Sequence, residues 1–148
     1  EMAERTRVAA QKFRWAVEAG EIPGLEIMGD PRLSIVGCRS DYYDVYVFSE
    51  KMKQLGWIFI NVQFPPGIHL GLTLDHAAEG AMEQLIADAK QTAQAMMPPV
   101  DAKTGKVEKV KNMNHAATLY GSSQTIPDRQ AVEMMLRAYV AKTVDPDA

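Results

Sequence analysis

Two stretches of the chain join side chains that can do chemistry to backbone that can present them. In Gln63-Phe64-Pro65-Pro66-Gly67-Ile68-His69 an ionisable imidazole follows a rigid bend, because proline supplies no backbone donor and disfavours helix at the residue before it. The run continues with Ile68, Leu70, Leu72 and Leu74 on one face of an extended segment and His69, Gly71 and Thr73 on the other, since side chains alternate along a strand. The leucine face reads as core. His69 then points at a ligand or a neighbouring domain, although a histidine hydrogen-bonded beneath a helix fits the same spacing. The second stretch, Leu119-Tyr120-Gly121-Ser122-Ser123-Gln124-Thr125, gathers hydrogen-bonding side chains around a flexible glycine just before a helical pattern, whose free N–H groups attract anions. Tyr120 and Gln124 are its candidate binding residues; a simple capping loop is the plainer reading.

Other chemistries find less support. His69, His76 and His115 fall on separate elements, with no cysteine or carboxylate at a metal-ligand spacing. Cys38 lies beside Arg39, which would lower a thiol pKa, yet it ends an apolar strand pattern where an inert, buried cysteine is the commoner case. Neither a Gly-x-Ser-x-Gly elbow nor a Gly-x-x-x-x-Gly-Lys phosphate loop is present.

The elements that must position these residues are read from periodicity. Helical spacing runs through Met2, Ala9, Phe13, Ala16 and Val17 to about Ala19, with Gly20 suited to the left-handed C-terminal position. The pattern is already under way at residue 1, as in a chain cut from something larger; processing that exposed an ordinary N-terminal helix is the alternative. Strands are predicted over Leu25–Met28 and Leu33–Cys38, joined as a hairpin through Gly29-Asp30-Pro31. Ser40 or Asp41 then caps a helix carrying Val45, Phe48, Met52 and Leu55, ended by Gly56, with Tyr42, Tyr43 and Tyr46 packing around its start. Trp57–Val62, rich in β-branched and aromatic residues, reads as a strand buried on both faces. A long helix is predicted from about Asp75 to Met97, with Ala78, Met82, Leu85, Ile86, Ala89, Ala93 and Met96 on one stripe and Pro98-Pro99 as its stop. Residues 101–112 are mostly Lys, Glu, Asp and Gly without apolar periodicity, and 100–114 read as a solvated, mobile linker. A last helix from Pro127 buries Val132, Met135 or Leu136, and Tyr139.

These elements predict one α/β (α+β) domain over residues 1–148, a small, mostly antiparallel sheet covered on one face by helices, with the other face turned to a partner domain. A hydrophobic fraction of 47% supports one core in 148 residues. A net charge of −3 with both signs interspersed argues against nucleic acid as a partner. The single cysteine points to a reducing compartment, and no apolar run approaches the roughly 20 residues of a membrane-spanning helix; a cytoplasmic location is expected.

The two stretches singled out above resemble the sphingosine-1-phosphate lyase family, in which a Gln-Phe-Pro-Pro-x-Ile-His run precedes a strand and a Tyr-Gly-x-x-Gln-Thr-x-x-Asp-Arg run precedes the last helix. Here they stand as Gln63 to His69, and as Tyr120, Gly121, Gln124, Thr125, Asp128 and Arg129. Gly29-Asp30-Pro31-Arg32-Leu33-Ser34 and Asp44-Val45-Tyr46 are similar to that family in the same order, so the resemblance spans about Met28 to Tyr139. It implies the C-terminal small domain of a fold-type-I pyridoxal-phosphate enzyme, related to the group II decarboxylases and acting as a homodimer on a phosphorylated long-chain amine. Retro-aldol cleavage would give a long-chain aldehyde and phosphoethanolamine. It further implies that the cofactor and its lysine belong to a large domain upstream, that no residue here is catalytic, and that no cofactor is bound by this chain alone. Met135 and Tyr139 then lie near a substrate entrance, and His69 takes the place of the arginine that grips a substrate carboxylate in aminotransferases and decarboxylases of this fold type. If the cofactor lysine were missing from the parent as well, the chain would be a non-catalytic binding module; a related amino-acid decarboxylase is the other alternative. An N-terminal anchor in the parent would place the domain on the cytosolic face of a membrane.

Overall fold

The computed structural model describes residues 1–109 and, within a helix, Glu133, Met134 and Arg137. The helical spacing at the N-terminus becomes α1 (Met2–Glu18), which buries Ala9, Ala10, Phe13, Ala16 and Val17. Met2 itself is exposed. Gly20 takes φ +75°, the left-handed conformation expected of a helix-terminating glycine. The hairpin forms as β1 (Glu26–Met28) and β2 (Ile35–Arg39), paired antiparallel with Ile27 opposite Cys38. Leu33 stays outside β2 and is exposed. Arg14 reaches from α1 to the connection, donating to Asp30 at 3.0 Å and to the Pro31 carbonyl at 3.2 Å.

Helix α2 (Val45–Gln54) is capped by Asp44, whose carboxylate accepts from the Tyr46 N–H at 2.8 Å. The expected cap at Ser40 or Asp41 is therefore displaced: Ser40 Oγ instead accepts from the N–H groups of Tyr42 and Tyr43, closing the turn before the helix. Tyr43 and Tyr46 are buried, as their apolar neighbours suggested, and their hydroxyls donate to the carbonyls of Pro23 and Val62.

The segment expected to be a strand buried on both faces is instead short and peripheral. Only Ile60–Val62 forms β3, which pairs with β4 (Gly67–Gly71) alone and leaves Ile58 and Ile60 exposed. Hydrogen bonds from Tyr46 Oη to Val62 O (2.7 Å) and from Ser49 Oγ to Phe59 O (3.3 Å) tie this edge to α2. The sheet order is β1-β2-β4-β3, antiparallel throughout. Strand β4 stops at Gly71, so Leu72 remains buried while Leu74 does not continue the core face.

The predicted helix from Asp75 starts later, as α3 (Ala81–Met96). His76 accepts the Thr73 N–H at Nδ1 (3.1 Å), folding residues 73–80 into turns, and Gly80 at φ +76° redirects the chain into the helix. Ala78 thus falls outside the helix and is exposed, whereas Met82, Leu85, Ala89 and Ala93 are buried, with Ile86 and Met96 half-buried against the core. Helices α1 and α2 lie on the sheet, and α3 packs across both. Among the described residues, the sheet therefore has helices on one face only. Beyond α3, Asp101 organises a turn by accepting from the N–H groups of Lys103 and Thr104, and Lys109 pairs with Asp41 at 2.6 Å. The first part of the expected solvated linker is thus a compact turn against the domain; the rest of it, and the start of the last helix, lie outside the described residues. No helix among the described residues is long and apolar enough to cross a membrane.

His76 carries a pH dependence. Its ring tilts against Trp57 at 5.9 Å, and its Nδ1 faces both the Thr73 N–H and, at 2.9 Å, the Thr73 hydroxyl. A protonated Nδ1 could not accept these bonds, and burial holds the group below its ordinary value of 6.5, with Asp75 opposing the shift. Because the folded pKa lies below the unfolded one, the native state binds fewer protons. The stabilisation is whole above the ordinary value and is lost as pH falls through the folded pKa. Thermal unfolding from about pH 8 to about pH 5 should show a decline in Tm that His76→Asn reduces. Equal declines in both proteins would remove His76 from the account.

Candidate functional site

Alternation along the strands sorts the sheet into two faces. Val36, Cys38, Ile68 and Leu70 are buried beneath the helices, and their registers, Val36 with Leu70 and Cys38 with Ile68, place them on one side. Burial pushes the Cys38 thiol up to about 12, so the thiolate that makes a cysteine reactive is absent at neutral pH. The reading of Cys38 as inert core holds, and Arg39 contributes to the other face.

That other face carries His69. Its cross-strand partners are Gly37 on β2 and Ile60 on β3, and Gly37 in turn pairs with Met28 on β1, giving a row Met28–Gly37–His69–Ile60. On either side along β4 stand Gly67 and Gly71. An imidazole thus projects from a sheet surface with glycines on three sides, next to the exposed side chains of Ile35 and Ile60. At Gly71, nothing among the described residues lies within 4 Å of where a Cβ would be. Arg39 is engaged by Glu26 at 3.0 Å across the β1–β2 pair; half-exposed pairs of this kind contribute about 0–1 kcal/mol. The bend between β3 and β4 has a cis Phe64–Pro65 peptide and Phe64 at φ +60°.

His69 is the one expected site residue that the described structure positions. Tyr120, Gln124, Met135 and Tyr139 lie outside the described residues, as do Gly121, Thr125, Asp128 and Arg129. Sequence reading missed Met28 and Gly37 as neighbours of His69, since cross-strand register joins residues far apart in the chain. The glycines flanking His69 were the available signal.

A separate hollow of about 190 Å³ lies on the helical side, lined by Arg5, Val8, Lys12, His76 and Met82 among others. Its charges are largely matched: Lys12 pairs with Glu83 at 2.9 Å and Glu4 with Arg7. Pyridoxal phosphate has no fitting site among the described residues, because every described lysine is exposed, whereas a Schiff-base lysine needs a desolvated pocket.

No protein-family model matches the chain. Individual proteins do. Sphingosine-1-phosphate lyase of Drosophila melanogaster is 33% identical over 121 residues, covering 81% of this chain and 20% of that protein. Sphingosine-1-phosphate lyase 1 of Rattus norvegicus is 31% identical over 115 residues, 78% of this chain and 19% of that protein. Among solved structures, the sphingosine-1-phosphate lyase of Burkholderia pseudomallei superposes with a TM-score of 0.58 at 27% identity, over 63% of this chain and 20% of that one. The chain thus spans about a fifth of the length of the relatives it matches. With identity running through most of its length and the backbone following the same α+β course, the chain matches one stretch of the sphingosine-1-phosphate lyases.

Proposed function

We propose that this chain is the C-terminal small domain of a lyase that cleaves a phosphorylated long-chain amine by retro-aldol chemistry, releasing a long-chain aldehyde and phosphoethanolamine. The single observation that carries the reading is the match along most of this chain to about a fifth of proteins named for that lyase activity. When bound, pyridoxal phosphate supplies the electron sink for carbon–carbon cleavage; the lysine that holds it lies in the remainder of the parent protein. This domain supplies a wall of the substrate site through the sheet face opposite α1 and α2, with His69 at the centre and Ile35, Ile60 and Met28 around it. The large domain of the same protein covers that face, and a second copy of the parent completes the dimer.

Two assays test this. The full-length parent, incubated with cofactor and sphingosine phosphate, should release phosphoethanolamine detectable by mass spectrometry. The isolated chain should neither release it nor form a borohydride-trapped, stoichiometric adduct at one lysine. Such an adduct, or a full-length protein without lyase activity, overturns the proposal.

Tyr139 provides a finer test, because the sequence pattern predicts a helix there and its spacing of four from Met135 would put both on one side of it. In the parent, Tyr139→Ala should raise the Michaelis constant for long-chain substrates more than for short ones. Equal changes across chain lengths would return Tyr139 to a packing role.

A further inference from the structure

We propose that Met28 is a positioning residue for His69, and that Gly37 and Gly67 lack side chains in order to admit it. The inference rests on the reading above that His69 meets the substrate. Residues on an exposed strand face ordinarily fill the surface with their own side chains. Here two adjacent positions do not, and Met28 occupies the space. A Cβ on Gly67 would stand 2.6 Å from Met28 Sδ, 3.0 Å from the Cys38 carbonyl oxygen and 3.3 Å from Met28 Cε, and one on Gly37 would stand 3.4 Å from Met28 Cβ. The side chain therefore runs from β1 across β2 and onto β4.

Both glycines border His69. Gly37 is its cross-strand partner, and Gly67 precedes it by two on the same face of β4. Met28 thus forms a wall on the β2 side of the imidazole and on the side toward the Phe64–Pro66 bend, while Gly71, with nothing among the described residues within 4 Å of its Cβ position, borders the remaining side along β4. A ring confined on two sides projects toward Gly71 and Ile60. Thioethers suit this role because they are flexible, polarizable and make favourable contacts at ring edges.

Two chemically different changes should have one effect. Met28→Ala removes the wall, and Gly67→Ala keeps Met28 but evicts its sulfur; Met28→Leu retains the bulk and should rescue. Measured in the full-length parent with cofactor bound, carbethoxylation of His69 by diethyl pyrocarbonate, followed by peptide mass spectrometry, should accelerate about threefold or more in Met28→Ala and in Gly67→Ala and remain near wild type in Met28→Leu. The Michaelis constant for the phosphorylated amine should rise in the first two variants, and Met28→Ala should add nothing to His69→Ala, because a residue acting through another is not additive with its loss. Unchanged labelling, or a Met28 effect that adds fully to that of His69, overturns the positioning role. If His69→Ala leaves activity intact while labelling responds as expected, positioning stands as geometry and the substrate-site reading of His69 is what fails.

Discussion

Truncating Phe48 to alanine is expected to lower the unfolding free energy of this chain by about 3–5 kcal/mol, a large share of the roughly 5–15 kcal/mol that holds a domain together. Phe48 is fully buried on α2, with its ring edge-on to Phe59 at 5.8 Å and stacked on Tyr43 at 5.9 Å. Phe59 in turn meets Phe13 of α1 at 6.1 Å. Phe48 therefore ties α2 and the turn before it to Phe59, the ring that carries the contact on to α1. Its removal leaves a cavity between elements that cannot all close in on it, which is why the cost should exceed the transfer energy of the ring alone. Ile58, the neighbour of Phe59, is 68% exposed, and Ile58→Ala should stay within about 0.5 kcal/mol. Urea unfolding of the three proteins decides it: a Phe48→Ala loss below about 1 kcal/mol would mean that the aromatic contacts do not carry the core.

The contrast between Phe59 and Ile58 also marks what the sequence could reveal. Periodicity exposed the helical faces of Phe13, Val17, Phe48, Met52, Leu85 and Ala89, because burial on a helix repeats with the helix itself. Apolar composition over Trp57–Val62 signalled a strand but not its place, and a strand with a single neighbour can leave Ile58 and Ile60 in the open. Strand order is a long-range property that no local window contains. Similarly, Asp75 and the alanines after it resembled a helix start, yet the Thr73–His76 hydrogen bond and the left-handed Gly80 delay the helix to Ala81. For the site, alternation alone assigned His69 to the face opposite Ile68 and Leu70. Its neighbours across the sheet, Met28 and Gly37, follow only from register.

The second large effect is expected at His69 itself. Replacing it with arginine in the full-length parent should reduce cleavage of the phosphorylated amine by about tenfold or more, equivalent to about 1.4 kcal/mol or more of transition-state stabilisation. The side chain stands among glycines on the sheet face opposite α1 and α2, half-buried, and among the described residues nothing crowds Gly71 beside it, so a longer residue there points away from the helical core. Thermal stability and cofactor content should accordingly stay close to wild type. Chemistry, rather than packing, distinguishes the two residues. A guanidinium is a fixed cation with a planar fork matched to carboxylates, whereas an imidazole is compact and lacks that fork. A phosphorylated sphingoid base offers no carboxylate for that fork, and an arginine there would recruit amino acids in its place. Specificity would then come partly from what the site declines to bind. Steady-state kinetics with the phosphorylated amine, run beside binding of an amino acid to the same variant, separates the accounts. Activity that is unchanged, or that falls only in step with lost folding, would assign His69 to contact with the large domain and remove it from the substrate site.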